Sequence, residues 1–163
     1  MPAPFEGMTA HRSIVLADEA ATAALAAALA RQARSGDVVT LAGPLGAGKT
    51  SFARAFIAAL GVRDEVPSPT FTLVQTYETA IGMVWHFDLY RLSSPDEIEE
   101  LGLDEALADG IVLIEWPDRL GTRLPRERLD IVLAPGSEAY SRQVTLNATA
   151  RWTAPLHALA TDG

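Results

Sequence analysis

The apolar and polar positions of the chain predict a series of short strands and helices. Residues 37–42 form an apolar, β-branched run that indicates a buried strand. Residues 51–60 repeat large apolar side chains at helical spacing, which predicts a helix that ends before Gly61. The run 111–114 is wholly apolar, as expected for a strand at the centre of a covered sheet.

Alternation and capping signals predict the other elements. Four further extended segments are expected at residues 70–77, 83–90, 129–133 and 143–146. The last two are expected to pair as a late antiparallel hairpin. Helices are predicted to begin at Asp18 and Ser94, and Glu97 completes a capping box at the second start. Shorter helices are expected at 104–108 and from Trp152 onward.

One segment between a predicted strand and a predicted helix is a candidate phosphate-binding loop. Residues 43–50 read Gly-Pro-Leu-Gly-Ala-Gly-Lys-Thr and fit the pattern G-x-x-x-x-G-K-[ST]. Among the 13 lysines and arginines, Lys49 is the only lysine, which indicates a need for a compact, flexible charge that reaches phosphates. The alternative is a glycine-rich turn that binds nothing, but both flanks match the context that the motif requires.

We therefore predict a nucleotide site at this loop. The glycines let backbone N–H groups turn toward phosphates, and the hydroxyl of Thr50 is placed to bind Mg²⁺. The loop residues predicted to contact the nucleotide are Gly43, Leu45, Gly46, Ala47, Gly48, Lys49, Thr50 and Ser51.

Two acidic residues are candidates for the metal-linked acid that a phosphate loop requires. Glu115 directly follows the apolar run 111–114, which is the position of a Walker-B-type acid, and Asp88 follows the extended run 84–87. We favour a metal role for Glu115 and a role in catalysis or metal positioning for Asp88. A solvated acid at a strand end is the alternative for each, and which of them is the main metal-linked acid stays open.

Three other features lie near these candidates. His86 stands between aromatic residues and is interpreted as a packed core or rim histidine rather than as a base. Trp116 is a core residue by default, although it could line the nucleotide pocket. Thr70 and Thr72 follow two prolines and belong either to a mobile segment near the γ-phosphate or to a rigid turn.

Composition and charge narrow the class of protein. The 163 residues are 48% apolar and 21% charged, contain no cysteine, and include no apolar run long enough to span a membrane. They predict one soluble, cytoplasmic domain over 1–163, with flexible ends at 1–10 and 155–163. The net charge of −8 argues against direct RNA binding. A solvated mixed-charge loop is favoured over a nucleic-acid patch for Arg119, Arg123, Arg126 and Arg128.

Four blocks of sequence, taken together, resemble the TsaE (YjeE) family. They are the phosphate loop at 43–50, Ser-Pro-Thr-Phe-Thr-Leu-Val at 68–74, His-Phe-Asp-Leu-Tyr-Arg at 86–91 and Glu-Trp-Pro at 115–117. The resemblance implies a P-loop NTPase-like, three-layer α/β fold with a mixed, largely parallel sheet. It also implies an ATPase of tRNA threonylcarbamoyladenosine biosynthesis that uses ATP and Mg²⁺. Such a protein acts with a TsaB–TsaD complex on the adenosine beside the anticodon and contacts tRNA only indirectly.

The resemblance also implies roles for individual residues. Lys49 and Thr50 would bind phosphate and Mg²⁺. Glu115 would contribute to the metal site, and Asp88 would support catalysis. Two further residues that match positions near the nucleotide are Thr22 and Arg142. Lys49, Asp88 and Glu115 are thus the expected catalytic residues.

One position departs from the family pattern. Pro44 stands where these proteins commonly carry Asp, and because proline fixes φ and lacks an N–H, the loop is expected to be stiffer. We expect slow turnover by the chain alone, because the sequence places no obvious arginine finger beside the loop.

Three other functions are compatible with the motif in different degrees. A small-molecule kinase would share the loop, and residues 119–128 could imitate its arginine-bearing lid. A GTPase is a poor match, since guanine recognition by N-K-x-D needs a second lysine. An adaptor that uses the nucleotide only to stabilise its shape is the third.

Overall fold

The computed structural model describes residue 8 and residues 10–63 and 72–159. The strands are β1 (Ala10–Leu16), β2 (Val38–Ala42), β3 (Val74–Thr79), β4 (Gly82–Asp88), β5 (Ile111–Glu115), β6 (Leu129–Pro135) and β7 (Arg142–Ala148). The α-helices are α1 (Glu19–Gln32), α2 (Lys49–Ala59), α3 (Glu97–Glu100), α4 (Leu103–Asp109) and α5 (Thr153–His157). Two 3₁₀ segments occupy Pro117–Arg123 and Ala150–Trp152.

The strands form one seven-stranded mixed sheet in the order β1-β7-β6-β2-β5-β4-β3. The four central strands, β6, β2, β5 and β4, run parallel to one another. Antiparallel strands complete both sides, with β7 and β1 beyond β6 and with β3 beyond β4. This arrangement confirms the expected α/β fold with a mixed sheet that is parallel at its centre, and it confirms the late hairpin as β6 and β7.

The core lies on both faces of this sheet, as the alternation within β5 illustrates. Ile111 and Leu113 belong to an apolar cluster that includes residues of α1, α2 and α5, while Val112 and Ile114 belong to a second cluster with residues of α3 and α4. Because successive side chains of a strand point to opposite faces, a wholly apolar strand requires cover on both. The prediction of a central, covered strand at 111–114 is confirmed.

Local signals explain where the two longest helices begin and end. The carboxylate of Asp18 accepts a hydrogen bond of 2.9 Å from the N–H of Ala21, which caps the start of α1 as predicted. Past the end of α2, Gly61 has φ of +98°, a left-handed conformation that glycine adopts without steric cost.

Several boundaries differ from those predicted, among them the end of β4 and the starts of α3 and β3. β4 ends at Asp88 rather than at residue 90, because the chain turns where Leu92 N–H bonds to the carbonyl of Leu89. The hydroxyl of Ser94 accepts from Asp96 N–H at 3.2 Å and closes a turn, so α3 begins only at Glu97. β3 begins at Val74, and residues 70 and 71 of the predicted segment lie outside the described residues.

The two ends of the described chain are joined through β1, a strand that was not predicted. The guanidinium of Arg12 in β1 donates to the carbonyl of Leu156 in α5 at 2.8 Å. Leu156 is fully buried, and Ala10 is already part of β1. The assignment of 1–163 as a single domain with flexible ends at 1–10 and 155–163 stays a prediction.

The helices that the structure describes are too short or too polar to cross a membrane.

Candidate functional site

The glycine-rich loop connects β2, at the centre of the sheet, to α2. Gly43 has φ of +142°, and a Cβ atom there would overlap the carbonyl oxygen of Leu133 in the neighbouring β6. Gly48 has φ of +102° and occupies the N-cap position of α2, where none of the described side chains caps the helix. The first N–H groups of α2 therefore face an open end of the helix, an arrangement that favours anions.

The side chain of Lys49 folds back over this loop. Its ammonium donates to the carbonyl oxygens of Gly43 at 2.7 Å and Pro44 at 2.9 Å. Lys49 is buried, and this burial lowers the pKa of the ammonium, while the negative charges of Glu115 and Asp88 act in the opposite direction. The structure thus brings Lys49 close enough to both predicted acids, Glu115 and Asp88, for their charges to act on its ammonium.

The second half of the site is a hydrogen-bonded chain of three side chains. The hydroxyl of Thr50 lies 2.8 Å from Oε1 of Glu115, and Nε2 of His86 lies 2.7 Å from Oε2 of the same carboxylate. Glu115 and His86 are both almost completely buried. The prediction that His86 is a packed core residue is correct, but sequence reasoning missed its contact with Glu115.

Asp88 lies beside Glu115 because of the register of two parallel strands. The last residue of β4, Asp88, is paired with Glu115, the last residue of β5. Paired residues of adjacent strands point to the same face, so both carboxylates project toward the side that carries α2. An oxygen of Asp88 accepts a hydrogen bond of 3.1 Å from Tyr90 N–H, which fixes the turn that follows β4.

Two aromatic rings form a wall beside the lysine. Trp116 has φ of +60°, an uncommon conformation for a bulky residue, and its ring centroid lies 4.3 Å from the ammonium of Lys49. The ring of Tyr90 contacts Trp116 with centroids 4.9 Å apart. Trp116 therefore lines the candidate site, as one of the two interpretations from sequence allowed.

Arg142, the first residue of β7, reaches the loop from the other side. Its Nε donates to the carbonyl of Ala47 at 2.9 Å, and one terminal nitrogen donates to the carbonyl of Ser141 at 2.8 Å. Arg142 and Arg91 both line the cleft beside the loop. The resemblance implied a position near the nucleotide for Arg142, and the β6–β7 hairpin folds this arginine onto the loop although 95 residues separate it from Ala47. The expected slow turnover of the chain alone stays a prediction.

These groups surround an open cleft of about 450 Å³, a size suited to a small-molecule ligand. Its lining consists of Leu45, Gly46, Gly48, Lys49, Thr50, Ser51, Asp88, Tyr90, Arg91, Glu115, Trp116 and Arg142. Most of the predicted site residues are thus brought together in one place.

Three predicted nucleotide contacts do not line the cleft. Ala47 is buried in the core behind the loop, and Gly43 lies against β6. Thr22 is buried in α1, where its hydroxyl donates to the carbonyl of Asp18 at 3.3 Å. Their roles at a nucleotide stay predictions.

The predicted segment near the γ-phosphate falls mostly outside the described residues. Thr70 is not described, and Thr72, which is, is exposed and accepts a hydrogen bond of 3.1 Å from Gln75. Both interpretations of this segment stay predictions.

Two of the four arginines in residues 119–128 pair with acidic residues outside the cleft. Arg123 pairs with Asp96 at 2.7 Å and with Glu99, and Arg128 pairs with Asp130 at 2.7 Å. These pairs favour the interpretation as a mixed-charge segment, and no residue of this segment lines the described cleft.

Fold and site together define the class: an α/β protein with a glycine-rich strand–loop–helix unit at the centre of its sheet and two acids at neighbouring strand ends. A family model described as "Threonylcarbamoyl adenosine biosynthesis protein TsaE" matches residues 16–144. The chain belongs to the TsaE family, whose role is in tRNA threonylcarbamoyladenosine biosynthesis.

Individual relatives support this assignment. The chain is 42% identical over 128 residues to the tRNA threonylcarbamoyladenosine biosynthesis protein TsaE of Bacillus subtilis, covering 78% of this chain and 79% of that one. It is 47% identical over 106 residues to the TsaE of Rickettsia felis, covering 64% of this chain and 62% of the relative. The crystal structure of Bacillus subtilis YdiB superposes with a TM-score of 0.76 at 32% identity, covering 92% of this chain and 93% of the other.

Proposed function

We propose that the chain binds ATP with Mg²⁺ in this cleft and hydrolyses the ATP to support threonylcarbamoyl transfer to the tRNA adenosine beside the anticodon. The observation that carries the proposal is the convergence of Lys49, the Thr50–Glu115 pair and the open N-terminal end of α2 on one cleft. An ammonium, uncapped amides and paired oxygen ligands are the groups that a magnesium–triphosphate complex requires.

The oxygen atoms at the centre of the site fit Mg²⁺ by their chemistry. The hydroxyl of Thr50 and the carboxylate of Glu115 are hard oxygen ligands held 2.8 Å apart. Mg²⁺ commonly takes only one or two protein ligands and completes its shell with waters and phosphates. When bound, Mg²⁺ would neutralise charge on the β- and γ-phosphates.

Different residues of the chain would then have different roles in hydrolysis. Lys49 would exchange the carbonyls of Gly43 and Pro44 for phosphate oxygens, gaining charge-assisted hydrogen bonds. The N–H groups at the start of α2 would hold the phosphates in place. Asp88, at the same level of the sheet as Glu115, would orient the attacking water and accept its proton.

We further propose that the chain acts with a TsaB–TsaD complex in the cytoplasm and reaches tRNA only through it. The net charge of −8 supports this, since direct RNA binding depends on contacts between cationic side chains and phosphates. Arg123 and Arg128 are already paired with acids, which leaves them less suited to phosphate contacts.

The proposal is tested by measuring phosphate release from ATP by the purified chain, with and without TsaB–TsaD. Wild type is expected to release phosphate slowly alone and faster with the complex, whereas Glu115→Gln should bind ATP and release none. Arg31→Ala, an exposed substitution on α1, serves as the control that changes charge away from the cleft.

Two alternatives predict other outcomes, one in this assay and one in an assay of nucleoside formation with TsaB–TsaD and tRNA. Transfer of the γ-phosphate to a metabolite instead of water would indicate a small-molecule kinase. Normal formation of the modified nucleoside by Glu115→Gln would indicate an adaptor that needs ATP bound but not hydrolysed. Failure of wild type to bind ATP in the presence of Mg²⁺ would refute the proposal.

A further inference from the structure

Glu115 is held through both of its carboxylate oxygens. Oε1 accepts from the hydroxyl of Thr50 at 2.8 Å, and Oε2 lies 2.7 Å from Nε2 of His86. His86 belongs to β4 and Glu115 to β5, two residues further along paired parallel strands. The two bonds fix the rotation of the carboxylate, so that one oxygen faces α2 and the phosphate loop.

The hydrogen-bond partners of the imidazole indicate which nitrogen carries its proton. Nδ1 of His86 is buried and has no hydrogen-bond partner among the described residues. A proton on Nδ1 would leave a buried donor unsatisfied, whereas a proton on Nε2 is donated directly to the carboxylate. The arrangement is therefore an Nε2–H tautomer that donates to Glu115.

An apolar side chain would fill this position at lower cost. His86 is fully buried, and its neighbours on the same face of β4 and β5 include Val84 and Leu113, which belong to the apolar cluster beneath α2. Burying an imidazole with one unpaired nitrogen in such surroundings costs free energy that valine or leucine would not. The hydrogen bond to Glu115 is an interaction of His86 that an apolar side chain could not make.

We propose that His86 is a positioning residue that orients the carboxylate of Glu115 for the Mg²⁺ of the bound nucleotide. This inference rests on the proposed binding of ATP with Mg²⁺. His86 acts entirely through Glu115 and does not touch the nucleotide. Groups that hydrogen-bond to metal ligands in this way typically change metal affinity by about 10–100-fold when they are removed.

The test separates nucleotide binding from metal binding. Affinity for a fluorescent ATP analogue is measured with the full chain, first in EDTA and then over a titration of Mg²⁺. His86→Leu removes the donor, His86→Gln keeps an N–H donor, and Val84→Ala is a control for a buried substitution on the same strand that has no polar group to lose. Thermal unfolding of each variant is recorded alongside.

We expect His86→Leu to raise the Mg²⁺ concentration for half-saturation about 10–100-fold while affinity in EDTA stays unchanged. His86→Gln should recover most of this loss, and Val84→Ala should show none even where it lowers stability. In a Glu115→Gln background, His86→Leu should have no further effect on the Mg²⁺ requirement, because the group through which it acts has lost its charge.

Several outcomes would overturn the inference. An unchanged Mg²⁺ requirement in His86→Leu would do so while leaving the proposed function intact. An undiminished effect in the Glu115→Gln background would show that His86 does not act through Glu115. If His86→Leu fails to fold, an unchanged Mg²⁺ requirement in His86→Asn, whose amide is too short to reach the carboxylate, has the same meaning. A wild-type chain that binds no ATP would remove both the proposed function and this inference.

Discussion

The ammonium of Lys49 lies 4.3 Å from the centroid of the Trp116 ring. Trp116 directly follows Glu115, the proposed metal-linked acid. The indole ring therefore connects the metal side of the site to Lys49, which is proposed to hold the phosphates. A cation over an aromatic ring is attracted to it electrostatically, by about 0.5–2 kcal/mol depending on exposure. The ring and the carbonyls of Gly43 and Pro44 together hold the ammonium in place.

We expect ATP binding to change the fluorescence of Trp116. Phosphates that draw the ammonium away alter the surroundings of the indole ring, whereas Trp85 and Trp152 do not line the cleft. Trp116→Phe should abolish the change while calorimetry still detects ATP. A fluorescence change of wild-type size in that variant would contradict the proposed contact between this side of the cleft and the phosphates.

ATP affinity should decrease as the pH rises into the alkaline range. Burial lowers the pKa of the Lys49 ammonium, so it loses its proton at a lower pH than an exposed lysine does. Because phosphate binding favours the charged form, affinity falls as pH rises through this pKa. Lys49→Arg, whose guanidinium stays charged, should bind more weakly at neutral pH but with a flat profile. If ATP affinity fell with pH in the same way in wild type and in Lys49→Arg, deprotonation of Lys49 would not be the cause of the fall.

Two glycines of the same loop should respond very differently to alanine. At Gly43 a Cβ would overlap the carbonyl oxygen of Leu133, whereas at Gly46, with φ of +80°, it would meet no atom within 4 Å. Backbone strain alone costs about 1–3 kcal/mol at such positions. Gly46→Ala should therefore lower the free energy of unfolding by about that amount, and Gly43→Ala by clearly more. Chemical denaturation measures both, and equal losses would contradict the close packing of the loop on β6.

Arg142→Ala should weaken ATP and ADP binding by a similar factor. Its Nε holds the carbonyl of Ala47, so the substitution loosens the loop that both nucleotides use. A hydrogen bond from a charged group is worth about 1.5–3 kcal/mol, or roughly a 10–150-fold change in affinity. Gln143→Ala, the exposed neighbour on β7, is the matched control. A loss confined to ATP would instead indicate a direct contact with the γ-phosphate.

The elements of the fold were largely predictable because their signals are local. The apolar run of β5, the cap of α1 and the alternation in β6 and β7 each lie within a few neighbouring residues. β1 was missed because Arg12 and Ser13 interrupt its apolar pattern, and Arg12 is tied to α5 by a distant contact. The start of α3 was placed too early because the Ser94 side chain stabilises a turn instead of a helix.

The features of the site that could not be predicted from the sequence are contacts between residues that are distant along the chain. The motif identified the loop, and strand ends identified Asp88 and Glu115, since the carboxyl ends of parallel strands meet at one edge. The contact of His86 with Glu115 depends on the pairing of β4 with β5, and that of Arg142 with Ala47 depends on the position of the hairpin. The residues next to His86 in sequence carry no signal of its contact with Glu115, and those next to Arg142 carry none of its contact with Ala47.

Because the site depends on the pairing of Asp88 with Glu115, it requires a fixed number of residues in β4 as well as particular residues at its end. Deleting one residue of β4 ahead of His86 would shift the register, so that both His86 and Asp88 point to the opposite face of the sheet. A single-residue deletion there removes Asp88 from the cleft and His86 from its contact with Glu115, while the composition of the chain hardly changes. Natural variation in the length of this protein is therefore expected in the connections between strands, and not within β4 or β5.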